Sequence, residues 1–129
     1  MASESRPTIA LFGEAERGQF RKAYVLHELE ELVDALGNPP EESQGIHFAV
    51  QALLYRRKLI YFRVEEEGFS MDDYFFGLKQ LGKIKTLHAL CMPGMGTLEV
   101  MEASLRLCEK HKSVLLTSQG DLYDYLTSR

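Results

Sequence analysis

Four strand-like stretches are spaced along the 129 residues, at Thr8 to Phe12, Leu59 to Val64, within Ile84 to Met92, where Leu87, Ala89, Leu90 and Cys91 are the apolar part, and at Val114 to Thr117. Thr8-Ile9-Ala10-Leu11-Phe12 has no polar alternation, which suits a strand buried on both faces, and Leu59 to Val64 is rich in β-branched and aromatic types. Stretches with helical spacing separate the runs. Strands separated by helices need crossover connections, and crossovers give a parallel sheet with helices on its faces. The expected fold is a small three-layer α/β domain, Rossmann-like or flavodoxin-like. It has about four parallel strands and about five helices in the order β-α-α-β-α-β-α-β-α.

From about Gln19 to Leu36, the residues Phe20, Ala23, Leu26, Leu29, Val33 and Leu36 recur at three- and four-residue steps, which predicts one amphipathic helix. Gly37 fits its C′ position, and Pro39-Pro40 stops it. Residues 44–57 admit two readings. Ser43 as N-cap, followed by Ala49-Val50-Gln51-Ala52-Leu53-Leu54, predicts a helix ending at Arg56-Arg57. The alternation of Ile46, Phe48 and Val50 suits a β-hairpin turning at Tyr55 to Lys58. The helix is preferred because good helix formers lead straight into the second strand. Ser70 caps a helix through about Leu81, with Asp72 and Asp73 in its first turn, and Gly82 closes it. Thr97 caps another from about Leu98 to Lys110, with Met101, Leu105 and Cys108 as its face. Gln119 to about Ser128 forms a last short helix.

Hydrophobic residues at 45% and charged residues at 26% suit a folded chain and exclude a disordered or collagen-like one. The length fits a single domain, 1–129, with residues 1–7 as a flexible N-terminus. Fifteen basic against nineteen acidic residues leave a net charge of −4, so neither nucleic acid nor a membrane is expected as partner. Met1 to Thr8 lacks the apolar region of a secretory signal, and no apolar run is long enough to cross a bilayer. Cys91 and Cys108 lack metal-type spacing and read as buried free thiols. A cytoplasmic protein is the simplest expectation.

Ligands of open parallel sheets bind outside the carboxyl ends of the strands, where strand order switches. Four loops fall on that edge: Gly13 to Gly18, Glu65 to Phe69, Pro93 to Thr97, and Thr117 to Gly120. Gly13 and Gly18 let backbone N–H groups turn toward an anion at a helix start, and Arg17 adds a charged fork. Glu14 and Glu16 work against this, and Gln19 replaces the lysine that a P-loop needs. Gly94 and Gly96 before Thr97 suit a second nest of backbone donors, and Ser118 follows the fourth strand. The candidate ligand-binding residues are therefore Gly13, Arg17, Gly18, Gly94, Gly96, Thr97 and Ser118.

Pro93-Gly94-Met95-Gly96-Thr97-Leu98-Glu99 resembles the PGGxGTxxE signature of lysine-decarboxylase-like phosphoribohydrolases, which implies a nucleoside monophosphate on a Rossmann-type sheet. The likeness covers about seven residues of the chain. The loop is one residue short, and Val100 stands where the family has its glutamate, so no catalytic residue carries over.

Other signals are weaker. Glu65-Glu66-Glu67 with Asp72 and Asp73 forms an acidic cluster that reads as a solvated turn before a helix. His27-Glu28 begins like HExxH, but Glu31 replaces the second histidine, so no metal site is expected. His88 reads as a hydrogen-bonded core residue, and its spacing from Cys91 puts the two on opposite faces of a strand. No nucleophile–base pair emerges, so catalytic residues and cofactor stay unassigned and enzyme status stays open. Aromatic and methionine residues are numerous enough to leave an exposed apolar patch, with Leu122, Tyr123, Tyr125 and Leu126 of the last helix as a candidate contact. Three functional classes follow. They are a module binding a phosphorylated or nucleotide-like small ligand, a non-catalytic interaction or homodimerisation module, and a small hydrolase or transferase in the same cleft.

Overall fold

A computed structural model describes residues 6–128. The elements are β1 (Thr8–Gly13), β2 (Ala23–Leu26), α1 (Leu29–Leu36), α2 (Gly45–Leu54), β3 (Lys58–Arg63), α3 (Met71–Leu81), β4 (Ala89–Cys91), α4 (Leu98–His111), β5 (Val114–Leu116) and α5 (Gln119–Thr127). They form one five-stranded sheet in the order β2-β3-β1-β4-β5. β1 runs parallel to β3 and β4, and β4 parallel to β5, while β2 joins β3 antiparallel. The α/β class and the largely parallel sheet are as expected, but the sheet has one strand more than the sequence suggested.

β1 is buried along its whole length because both of its faces are covered. Ile9 and Leu11 point to the layer of α1, α2 and α5, packing with Leu36, Phe48 and Leu122. Ala10 and Phe12 point to the layer of α3 and α4, packing with Tyr74, Leu78 and Val100. Alternate residues of a strand face opposite ways, so an unbroken apolar run feeds two cores at once. Gly77 lets α3 close onto the ring of Phe12, which itself stacks on Phe62 at 4.9 Å and on Tyr74 at 5.2 Å.

The single helix expected over 19–36 is instead a strand and a shorter helix. Gly18 and Arg21 hold positive φ values of 107° and 58°, which no α-helix tolerates. Beyond them Tyr24 and Leu26 turn inward two residues apart, while Ala23 and Val25 face out, the period of a strand. Spacings of three and four had merged this strand with the real helix. The start of α1 is set by Glu31, whose Oε1 accepts from the N–H groups of His27 at 2.6 Å and Glu28 at 3.1 Å. Those two N–H groups hold the Glu31 carboxyl below its ordinary value of 4.5. Its folded value is the lower one, so its stabilising contribution is complete above about pH 4.5 and is lost as pH falls through the folded value. Acid titration of unfolding should show Glu31→Gln with a flatter acid limb than the parent; an identical limb would contradict this role.

Other expectations fare unevenly. Residues 45–54 are helical, not a hairpin. Gly37 closes α1 with φ 79° and donates its N–H to Val33. Ser43 does not cap α2; its hydroxyl donates to the Pro40 carbonyl at 2.7 Å. The buried face of α4 is Val100, Ser104, Leu107 and Cys108, so Leu105 lies outside at 52% exposure. The expected flexible segment, residues 1–7, falls mainly outside the described residues; within them the Pro7 carbonyl accepts from Lys58 N–H at 2.9 Å. Both thiols are free and buried. No described helix is long and apolar enough to cross a membrane.

Candidate functional site

The chain leaves β1 toward β3 on one side and returns past β1 to β4 on the other, so strand order switches between β1 and β4. The crevice outside their carboxyl ends is where a doubly wound sheet takes a ligand. Here the loop after β3 lies across it. Glu67 Oε2 accepts from Glu14 N–H and Gly45 N–H, each at 2.8 Å, and its Oε1 accepts from Gln44 N–H at 2.9 Å. In return Glu67 N–H donates to Glu14 Oε2 at 3.0 Å. The first loop and the start of α2 thus form a cradle of backbone donors for an anion, as helix N-termini do. The anion it holds is the chain's own carboxylate.

The glycines of this corner serve close approach. A Cβ at Gly13 would lie 2.6 Å from the Gly45 Cα and 2.5 Å from the Tyr61 hydroxyl. That hydroxyl donates to the Glu14 carbonyl at 2.8 Å. Gly68 has φ 90° and packs its Cα against the Gly94 carbonyl, joining the loops after β3 and β4 backbone to backbone. Gly68 N–H donates to the Tyr74 hydroxyl at 2.7 Å, and its carbonyl accepts from Thr97 Oγ1 at 3.0 Å. The polar groups at the switch point are therefore largely engaged with one another.

The candidate residues separate into two groups. Gly13, Gly94, Gly96 and Thr97 come together around Glu67 and Gly68. Arg17 turns away. Its Nη2 donates to Val33 O at 2.7 Å and its Nε to Asp34 O at 3.3 Å, holding the carboxyl end of α1, and Glu16 lies 3.7 Å from its Nη1. Gly18 accepts from Arg63 Nη1 at 2.6 Å. Ser118 N-caps α5 through Asp121 N–H at 3.1 Å. Thr97 stands at the N-cap position of α4 without a side-chain cap bond, its hydroxyl donating to the Gly68 carbonyl. Ser70 likewise leaves α3 uncapped, its hydroxyl bonding the Glu66 backbone instead.

From the sequence, Glu67 and Gly68 fall in the Glu65 to Phe69 loop of this edge but have no assigned role in the site, and Gly45 is not included. Glu67 sits in an acidic run that looks solvated, and nothing local says that one member reaches 53 residues back to Glu14. Gly45 at the first position of a helix, where it adds no propensity, was the available hint.

Little at this edge is poised for chemistry. Burial and the charge of Glu67 push the Tyr61 phenol well up, and burial does the same to Tyr74. Burial raises the Cys91 thiol far above its ordinary value and Cys108 to about 11, so neither is a thiolate at neutral pH. His88 is exposed rather than buried in the core, and its Nδ1 accepts from Thr8 N–H at 2.9 Å. Among the described residues no group of three or more His, Cys, Asp or Glu is arranged to hold a metal ion.

Apolar side chains remain outside. Along α4, Leu98 is 68% and Leu105 52% exposed, and they share a stripe with Met101. Phe69, at 58%, rests against Gly96 beside them. Met95, Gly96, Thr97, Leu98 and Met101 line a shallow hollow of about 270 Å³. The last helix differs from expectation: Leu122 and Leu126 are buried, Tyr125 packs on the core, and only Tyr123 of the four is exposed.

Comparison with protein-family models, with curated proteins and with solved structures finds no match to this chain.

Proposed function

We propose that this chain is a non-catalytic interaction module that receives an apolar segment of a partner protein on the stripe formed by Phe69, Met95, Leu98, Met101 and Leu105. The observation that carries this reading is the occupation of the switch-point donors by Glu67. The place where a doubly wound sheet holds a phosphate is taken by the chain itself, while a methionine-lined apolar surface lies open beside it. A cytoplasmic setting belongs to the same proposal, supported by two free thiols. The test pairs two measurements. A panel of nucleotides and sugar phosphates should leave the melting temperature unmoved, since a ligand of the native state must raise it. A protein partner retained from cell extract should be lost with Leu98→Glu plus Leu105→Glu at unchanged melting temperature. A rise with any panel member that Gly96→Val abolishes would overturn the reading.

One observation favours a small phosphorylated ligand as a second reading. Thr97 leaves α4, a helix of 14 residues, without a side-chain cap beside the 270 Å³ hollow. Its N-terminus attracts anions. The order β3-β1-β4-β5 of the parallel strands supports a flavodoxin-like arrangement, in which ligands sit at this switch point. The same panel separates the two readings. A hydrolase or transferase reading gains no support from the side chains gathered there.

A further inference from the structure

We infer that the outer edge of β2 pairs antiparallel with the β2 of a second copy of this chain, joining two five-stranded sheets into one. Among the described residues β2 ends the sheet and has β3 alone as its neighbour. An edge strand offers a row of free N–H and C=O groups that template another strand. Ala23 and Val25 pair with Phe62 and Ile60, which are buried beneath α3, yet both are exposed themselves, Val25 at 49%. The apolar side of β2 is therefore only half covered within one chain.

Charge identifies the occupant. Arg21 and Lys22 precede the strand, and Glu28, Glu30 and Glu31 follow it. A strand that is basic at its start and acidic at its end complements itself when a second copy runs the other way. A two-fold contact of this kind uses the same patch on both partners and closes at two chains. With Val25 across from its own copy, Ala23 stands across from His27 and Lys22 from Glu28. Both side chains are exposed, although Glu28 also belongs to the capping box at the start of α1. Lys22 lies 5.0 Å from the centre of the Tyr24 ring, and Glu28 meets Arg6 at 3.4 Å. A strand of uniform charge would match one end of β2 and repel the other.

Directly opposed residues of antiparallel strands have Cα atoms about 4.5–5.5 Å apart, within disulfide reach. Val25→Cys should therefore give a disulfide-linked dimer under mild oxidation, whereas Tyr123→Cys, exposed on α5, should not; the native thiols are buried. In sedimentation, Lys22→Glu should weaken the dimer about tenfold through two repelling pairs, and adding Glu28→Lys should restore it. Val25→Lys should be monomeric, with the melting temperature of the parent at dilutions where the parent is itself monomeric. A parent chain that stays monomeric at its highest soluble concentration would overturn the inference, as would Val25→Cys linking no better than Tyr123→Cys. Either outcome leaves the retention of a partner on α4 intact, so the two proposals fail separately.

Discussion

Glu67→Ala should lower the unfolding free energy by about 3 kcal/mol, because it strips the acceptor from three backbone N–H groups at once, and hydrogen bonds to a charged group contribute about 1.5–3 kcal/mol each. The estimate stays below the simple sum of about 4.5–9 kcal/mol because Glu67 is only partly buried and the donors regain some water. For a chain of 129 residues this corresponds to a drop of roughly 10 °C in melting temperature. Glu67→Gln should lose about half as much: one amide oxygen still serves Glu14 and Gly45, while the NH₂ group faces the Gln44 N–H. The diagnostic result is rescue. Acetate or formate should raise the melting temperature of Glu67→Ala and leave the parent unmoved, since the vacated donors form an anion site. A variant as stable as the parent, or one indifferent to carboxylates, would show that the cradle does not depend on its carboxylate.

Gly68→Ala should cost about 2–5 kcal/mol, combining roughly 1–2 kcal/mol for a side chain at positive φ with about 1–3 kcal/mol for forcing two packed segments apart. The new Cβ meets the Gly94 carbonyl, which is backbone and has no rotamer to escape by. Retreat of that loop would also break the bond from Thr97 to the Gly68 carbonyl. The neighbouring glycines supply the controls. Gly94→Ala carries φ strain alone, its nearest contact lying at 3.8 Å, and should cost about 1–2 kcal/mol. Gly96→Ala finds ordinary contact distance, 3.5 Å from the Phe69 ring, and should stay within about 0.5 kcal/mol of the parent. Urea unfolding of the three variants should rank them in that order. Equal losses would mean that the backbone contact between the two loops is not what holds this corner.

That ranking also shows how far the chain was legible. The glycines singled out from the sequence, at 94 and 96, stand beside a recognisable helix start. The one with the largest expected effect follows three glutamates and looked like the end of a turn. Its requirement comes from a loop 26 residues away, and no local pattern encodes such an approach. β2 was hidden for a related reason. Phe20, Ala23 and Leu26 satisfy a helical period that continues into the real helix, and the extended backbone of Glu28, at φ −130° and ψ 154°, separates β2 from α1.

The apolar runs and the amphipathic stretches between them determined by themselves the alternation of strands and helices from α2 onward, the parallel core of the sheet and the burial of β1 on both faces, because side-chain periodicity is a local property. Tertiary structure alone decided that β2 turns antiparallel at the edge, that Arg17 serves the end of α1, and that Glu67 fills the cradle at the switch point. Each of these depends on partners brought together from distant parts of the chain, where the contact, not the residue type, sets the role.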